Sequence, residues 1–467
     1  MMVKRLISLC LALIILLTGI CFFYNSNNIT LMVKKTMLGN EDFENQDRAI
    51  NAFIDAFNNE YPQISVKINY VNEYPAHLNE TELILFGADE MLEYAPNDLK
   101  VLTDIVSTNN MPEKIANTGR LAIKSDKKDL YMLPFNYDRA VVYLDKEVFD
   151  FLGVDIPSVD WTYEDFKETA QNTTRRYFDY KEYKNILGVH LPIGKSYVWK
   201  YFYDNLGDEW HNDSFRVEFN TDKNLKVMED VLGLCKKNGK CYSMTLKSSA
   251  LFYAETAMAW VNACQPEYDD YRIISDEVSD SLVGRRAKQL AANGNLVLLP
   301  LPSVNGTNMS YSNTEFIKGI GISAYISHSK MENAVKLVQF AQTYKGNSAL
   351  NSYYGGIPSN ESLWGEEYWK KGCLQGENAD NVLIGIENDK RDDYADILIK
   401  DEAIYEKNLR LRAISAGLLL QEFRETQRNI KNFEEIMNRM ARYFNMTIKN
   451  SGIPDGFNRD IIAREES

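Results

Sequence analysis

At 467 residues the chain exceeds what one hydrophobic core normally organises, so two lobes or domains are expected before any motif is read. Its 52 Lys and Arg against 66 Asp and Glu leave a formal charge of -14, which argues against a surface for nucleic acid or anionic membrane, because most of it would repel a polyanion. A neutral or cationic ligand fits that balance.

Lys4-Arg5 precede a 19-residue apolar run from Leu6 to Tyr24, followed by the polar Asn25-Ser26-Asn27-Asn28. This is the order of a secretory signal or membrane anchor, and about 20 apolar residues suffice to span a bilayer. Leu17-Thr18-Gly19-Ile20-Cys21 resembles a lipoprotein processing site with Cys21 as the lipidated residue, except that Ile20 stands where a small residue is usual. A lipid on Cys21, an uncleaved helix and free secretion all remain open, and each exports the rest of the chain. Cys235 and Cys241 bracket a turn-forming KKNGK and read either as a small disulfide loop or as two thiols.

From Ile29 the pattern predicts a strand (29–35), a helix with apolar residues at helical spacing (49–62), and an alternating strand (64–71). A buried strand then runs into Gly87-Ala88-Asp89. Such alternation implies a mainly parallel sheet with helices on its faces, and ligands of such sheets lie beyond the carboxyl ends of strands, where Asp89 and Glu90 stand. A second α/β unit opens after Asp138, with a strand and short helix over 140–154. A helix follows that is capped by Thr162, with Asp165 three residues on; Trp161, before that cap, reads as a packing residue. Further strands are expected over 253–263, 296–306 and 316–327, and a helix over 331–344. The tail from Asp401 to Asn450 is a helical pattern.

Gly319-Ile320-Gly321-Ile322-Ser323-Ala324 matches a dinucleotide fingerprint in letters, but it lies inside an apolar alternating segment and reads as a strand or hinge. No phosphate loop, zinc-protease or serine-hydrolase motif occurs, the four histidines are scattered, and no cofactor or metal is expected. The acidic run Asn388 to Asp396 lacks the glycine and terminal glutamate of a calcium loop and reads as a solvated face. Asp89 and Asp138 could serve a glycosidase, which needs two carboxylates at suitable separation. Tyr197, Trp199, Trp210, Trp260, Tyr353 and Tyr354 supply rings of the kind that stack on sugars.

The stretch from Leu130 to Asp138 (LYMLPFNYD), followed by Val142 to Phe149 (VYLDKEVF) and Trp161 to Phe166 (WTYEDF), resembles the family 1 extracellular solute-binding proteins of ABC importers, the maltose-binding-protein-like group. Ala254 to Met258, Leu299 to Pro302 and Gly355 to Pro358 are similar to further segments of that family, so the likeness covers nearly the whole exported chain. The resemblance implies a two-lobed periplasmic-binding-protein-like α/β fold with discontinuous lobes joined by a hinge and a helical C-terminal segment. Its implied division is a leader (1–28), a first lobe (29–137 and 320–372) and a second lobe (138–319 and 373–467).

The resemblance also implies a non-enzymatic component that binds a carbohydrate between its lobes and passes it to permease subunits. It carries a ligand role onto Asp89 after the buried strand of the first lobe, onto Tyr137 and Asp138 at the first crossing between lobes, and onto Tyr197 and Trp199 in the second lobe. Trp260, Tyr353 and Tyr354 are further candidates. The chain departs from the family at Met32-Val33-Lys34-Lys35, where a tryptophan is usual, and at Ala263-Cys264-Gln265, where an aromatic platform is usual. A carbohydrate-active enzyme and a ligand-sensing partner of a membrane receptor are the competing readings.

Overall fold

The computed structural model describes residues 27–36, 39–95, 97–122, 128–174, 185–191, 201–202, 205–207, 221–227, 254–263, 286–308, 311–312 and 316–391. The apolar leader with Cys21, the pair Tyr197 and Trp199, Trp210, Cys235 and Cys241, and the helical tail lie outside the described residues. Among the described residues no helix is long and apolar enough to cross a membrane.

In chain order the principal elements are β1 (Asn28–Lys34), α1 (Asn40–Glu60), β2 (Ser65–Val71), β3 (Leu83–Gly87), α2 (Ala88–Tyr94), α3 (Glu113–Asn117), β4 (Met132–Pro134) and β5 (Asn136–Tyr137). They continue with β6 (Ala140–Asp145), α4 (Lys146–Leu152), α5 (Tyr163–Thr173), β7 (Asn185–His190), β8 (Ala254–Asn262) and β9 (Leu296–Pro300). The last are β10 (Lys318–Ile322), α6 (His328–Phe340), α7 (Tyr344–Tyr354), β11 (Ile357–Pro358) and α8 (Glu377–Asn381). Two sheets organise them, in the orders β2-β1-β3-β10-β4 and β9-β6-β8-β7.

Every residue of β3 and of β6 is buried, as expected of central strands covered on both faces. Helix α1 covers one face with Ala49, Ile50, Phe53, Ile54 and Phe57, an apolar stripe at helical spacing. It starts nine residues before the apolar pattern does, because its first turns are polar; Glu41 and Asp42 suit the positive end of the helix dipole. Thr162 caps α5 as its spacing predicts, its side chain accepting from the Asp165 N–H while Asp165 accepts from the Thr162 N–H at 2.8 Å. Trp161 is 2% exposed and donates its indole N–H to the Pro300 carbonyl at 2.9 Å.

The first sheet is less parallel than the alternating pattern implies. Strands β2, β1 and β3 are parallel, but β10 runs antiparallel to both β3 and β4. Topology supplies the reason. Lys318, the first residue of β10, pairs with Gly87, the last of β3. A chain re-entering the lobe at that end must run away from it. The same end is where β4 finishes and the chain leaves through β5, which pairs antiparallel with β11. In the second sheet β6 begins at Ala140 opposite Asn262, the last residue of β8, and β8 is parallel to β7. The carboxyl ends of the parallel strands of both sheets therefore face the same crossing.

The fingerprint-like glycines belong to β10. A Cβ at Gly319 would stand 2.6 Å from the Met132 Cγ and 2.7 Å from the Leu133 carbonyl oxygen, and one at Gly321 would stand 2.9 Å from the Phe86 ring. These glycines permit close packing between strands and cradle no phosphate. Overpacking by one methyl at such a site costs about 1–3 kcal/mol, so Gly319→Ala is expected to lower the urea unfolding midpoint with an unchanged slope.

Candidate functional site at the carboxyl ends of the first sheet

Three parallel strands of the first lobe end side by side, and the residues just past them form a connected polar cluster. Lys34, the last residue of β1, reaches Glu73 at 2.8 Å and Glu90 at 3.6 Å, and its Nζ lies 5.8 Å from the centre of the Tyr74 ring. Burial alone would lower the Lys34 pKa; the hydrogen bond to Glu73 and the charges of Glu90 and Glu73 outweigh it and hold it above the usual lysine value. The Lys34 side chain keeps 32% of its surface exposed and Glu73 65%, so this pair meets solvent.

Gln46, on α1 and 3% exposed, ties the strand end to the helices. Its amide donates to the Lys34 carbonyl at 3.0 Å and to the Tyr354 hydroxyl at 3.3 Å, and accepts from the Thr36 N–H at 3.0 Å. Asp42, in the first turn of α1, accepts from the Thr36 hydroxyl at 2.5 Å and from Tyr353 at 2.8 Å. Tyr70 donates to Asp47 at 2.8 Å, and Tyr74 donates to the Leu85 carbonyl. Burial raises the phenols of Tyr70, Tyr74 and Tyr354 above the usual tyrosine value, so they stay protonated at neutral pH. Tyr353 and Tyr354 sit at the end of α7, where Gly355 and Gly356 follow with φ of 62° and 94°. Glycine alone suits that turn, and a Cβ at Gly356 would press within 2.9 Å of the Asn136 amide.

The expected residues are thus partly brought together. Tyr353 and Tyr354 join the cluster. Asp89 stands in the first turn of α2, directly beyond β3. Asp138 stands two residues before Ala140, at the end of the second sheet facing the crossing. Asp138 is 1% exposed, and one carboxylate oxygen accepts from the Arg139 N–H at 2.9 Å.

Two expectations are corrected. Tyr137 is 1% exposed and its hydroxyl donates to Asp389 at 2.8 Å, so it holds the hinge rather than facing a cleft. Trp260 is 1% exposed, stacked on Phe202 at 5.3 Å and edge-on to Tyr201 at 4.8 Å; β8 turns it into the core of the second lobe. Asn136 is likewise structural, its amide donating to the Gly355 carbonyl at 3.0 Å and accepting from the Lys318 N–H at 2.6 Å.

The acidic run after Asn388 is corrected at its start. Asp389 is buried beside Arg139, which is 0% exposed, at 2.5 Å. Burial pushes the Asp389 carboxyl up to about 6, against the pull of the Arg139 charge and the Tyr137 hydrogen bond. Among the described residues no group of histidines, cysteines and carboxylates is placed to hold a metal ion.

Sequence reasoning missed Lys34, Asp42, Gln46, Tyr70, Glu73 and Tyr74 as a site. The available signal was the position of Lys34, Tyr70, Glu73 and Tyr74 at or just past the ends of predicted parallel strands; Asp42 and Gln46, on α1, carried none.

No protein-family model matches the chain, and no curated protein matches it in sequence. Solved structures match it in fold. UgpB from Mycobacterium tuberculosis in complex with glycerophosphocholine has a TM-score of 0.61 at 12% identity, covering 91% of this chain and 99% of that one. A family 1 extracellular solute-binding protein from Alicyclobacillus acidocaldarius has a TM-score of 0.60 at 12% identity, covering 90% and 98%. An ABC substrate-binding protein from Listeria monocytogenes in complex with cycloalternan has a TM-score of 0.58 at 14% identity, covering 90% and 99%. The fold of this chain is that of the two-lobed, maltose-binding-protein-like solute-binding proteins.

Proposed function

We propose that this chain is a family 1 extracellular solute-binding protein of an ABC importer, and that it holds a neutral polyhydroxylated solute, a sugar or oligosaccharide, between its lobes. The observation that carries this reading is the cluster past β1, β2 and β3. There a lysine, carboxylates, an amide and several protonated tyrosines converge at the end of the first sheet from which the chain crosses to the second. Such a set offers hydrogen bonds to hydroxyls and ring faces to apolar sugar surfaces, and it requires no chemistry of the solute. The family resemblance adds ligand roles for Asp89 and Asp138, and stacking roles for Tyr197 and Trp199, which lie outside the described residues. The apolar leader, through a lipid on Cys21 or as a helix, keeps the protein at the outer face of the membrane, where permease subunits receive the solute.

A thermal-shift panel of saccharides, with glycerophosphocholine included, tests the reading. A solute at about 100 times its dissociation constant raises stability by roughly 2.7 kcal/mol. At least one saccharide is expected to raise the melting temperature; a panel without effect overturns the sugar assignment. Lys34→Met then locates the site. Loss of a hydrogen bond from a charged donor is worth about 1.5–3 kcal/mol, so affinity is expected to fall roughly ten- to a hundredfold by calorimetry. Ligand-free stability changes by less than about 1 kcal/mol, because the ion pair it removes is partly solvated.

A further inference from the structure

Between Gly372 and Arg391 the chain makes attachments that belong to neither lobe alone. It arrives from the first lobe, where the Ser359 hydroxyl donates to the Pro134 carbonyl at 2.6 Å and the Glu361 N–H to the Asn110 carbonyl at 2.8 Å. Helix α8 then lies along β9, the outer strand of the second sheet. Asn378 accepts from the Leu298 N–H at 2.8 Å and donates to the Leu296 carbonyl at 3.0 Å, while Asn381 donates to the Leu298 carbonyl at 3.0 Å. Two side-chain amides thus take the backbone groups that another strand would pair, which covers the edge without a strand.

Past α8 the chain returns. The turn Ile386–Asn388 packs against α3 of the first lobe, and Asp389 closes the run at the hinge. There the Arg139 guanidinium grips it at three points, the carbonyls of Val382 at 2.9 Å and Ile384 at 2.7 Å and the Asp389 carboxylate at 2.5 Å. Tyr137 of the crossing strand β5 takes the other carboxylate oxygen.

We propose that Gly372–Arg391 is an interlobe strap that sets the balance between open and closed lobes, with Arg139 and Asp389 as its anchor and Asn378 and Asn381 as its clip on the second lobe. This rests on the reading that the lobes close over a solute. A change of angle about β5 and β11 moves the edge of β9 relative to α3, while Arg139 and Asp389 sit at the pivot between them. The motion therefore loads the clip. It consists of neutral hydrogen bonds, each worth about a two- to tenfold change in a two-state ratio.

The test uses the ligand-free full-length protein, so that it stands apart from the identity of the solute. Donor and acceptor dyes are attached through unnatural amino acids at Glu44 of α1 and Glu168 of α5, both exposed, and the interlobe distance distribution is read by single-molecule energy transfer. The Asn378→Ala/Asn381→Ala variant is expected to shift or broaden that distribution, and Asn381→Ala alone to do so to a smaller degree with a wild-type melting curve. If the double variant fails to fold, Asn381→Ala decides. An unchanged distribution in a folded variant overturns the strap and leaves the solute reading intact. A saccharide panel without effect would overturn the solute reading instead.

Discussion

Asp389→Ala lowers the unfolding free energy by about 3–5 kcal/mol, the cost of stranding one member of a buried ion pair. The magnitude follows from the partner that stays behind. Arg139 is 0% exposed, and without Asp389 its charge keeps two carbonyl acceptors but no counter-ion among the described residues. Tyr137 loses its hydrogen bond to Asp389 at the same time. Urea unfolding of the purified protein reads the loss directly. Replacing both members, as Arg139→Met with Asp389→Leu, is expected to recover most of it, because a well-packed apolar pair avoids the desolvation that the ions incur. A loss below about 1 kcal/mol in Asp389→Ala would show that the pair is solvated and that the run after Asn388 is the polar face its composition suggests.

Trp260→Ala is expected to cost a similar amount, about 3–5 kcal/mol, through a different mechanism. The indole fills the space between Phe166, Tyr201 and Phe202, with ring centroids 5.9, 4.8 and 5.3 Å away, and its removal leaves a cavity that strands β6 and β8 cannot collapse to fill. Trp260→Phe keeps a ring in place and is expected to recover much of the loss. A platform that stacks on a bound sugar behaves in the opposite way, losing affinity while the ligand-free protein keeps its melting temperature. Measuring both quantities on Trp260→Ala separates the two roles.

Much of the scaffold was legible in the sequence because the forces that specify it act over a few residues. LILFG and AVVYLD announce buried central strands by unbroken apolar character, and α1 announces its buried face by spacing. Thr162 and Asp165 cap a helix wherever they stand three apart before an apolar run. Residues that bridge lobes were not legible in this way. Tyr137 and Asp138 carry the same expected ligand role, yet the structure gives each a different partner.

Asp389 shows the limit most plainly. Its neighbours in sequence are polar, so local composition places it in water. Its partner Arg139 is 250 positions away, and only the return of the chain to the hinge brings the two within 2.5 Å in a site from which water is excluded. The candidate site has the same character, since Lys34, Gln46, Glu73, Glu90 and Tyr354 come from separate strand ends and helices. Strands, helices and the order in which they alternate can be read from the chain alone, because hydrophobic periodicity and capping are local. The tertiary structure decided which polar residues meet, because sheet register and the path of the chain between lobes set distances that no local pattern encodes.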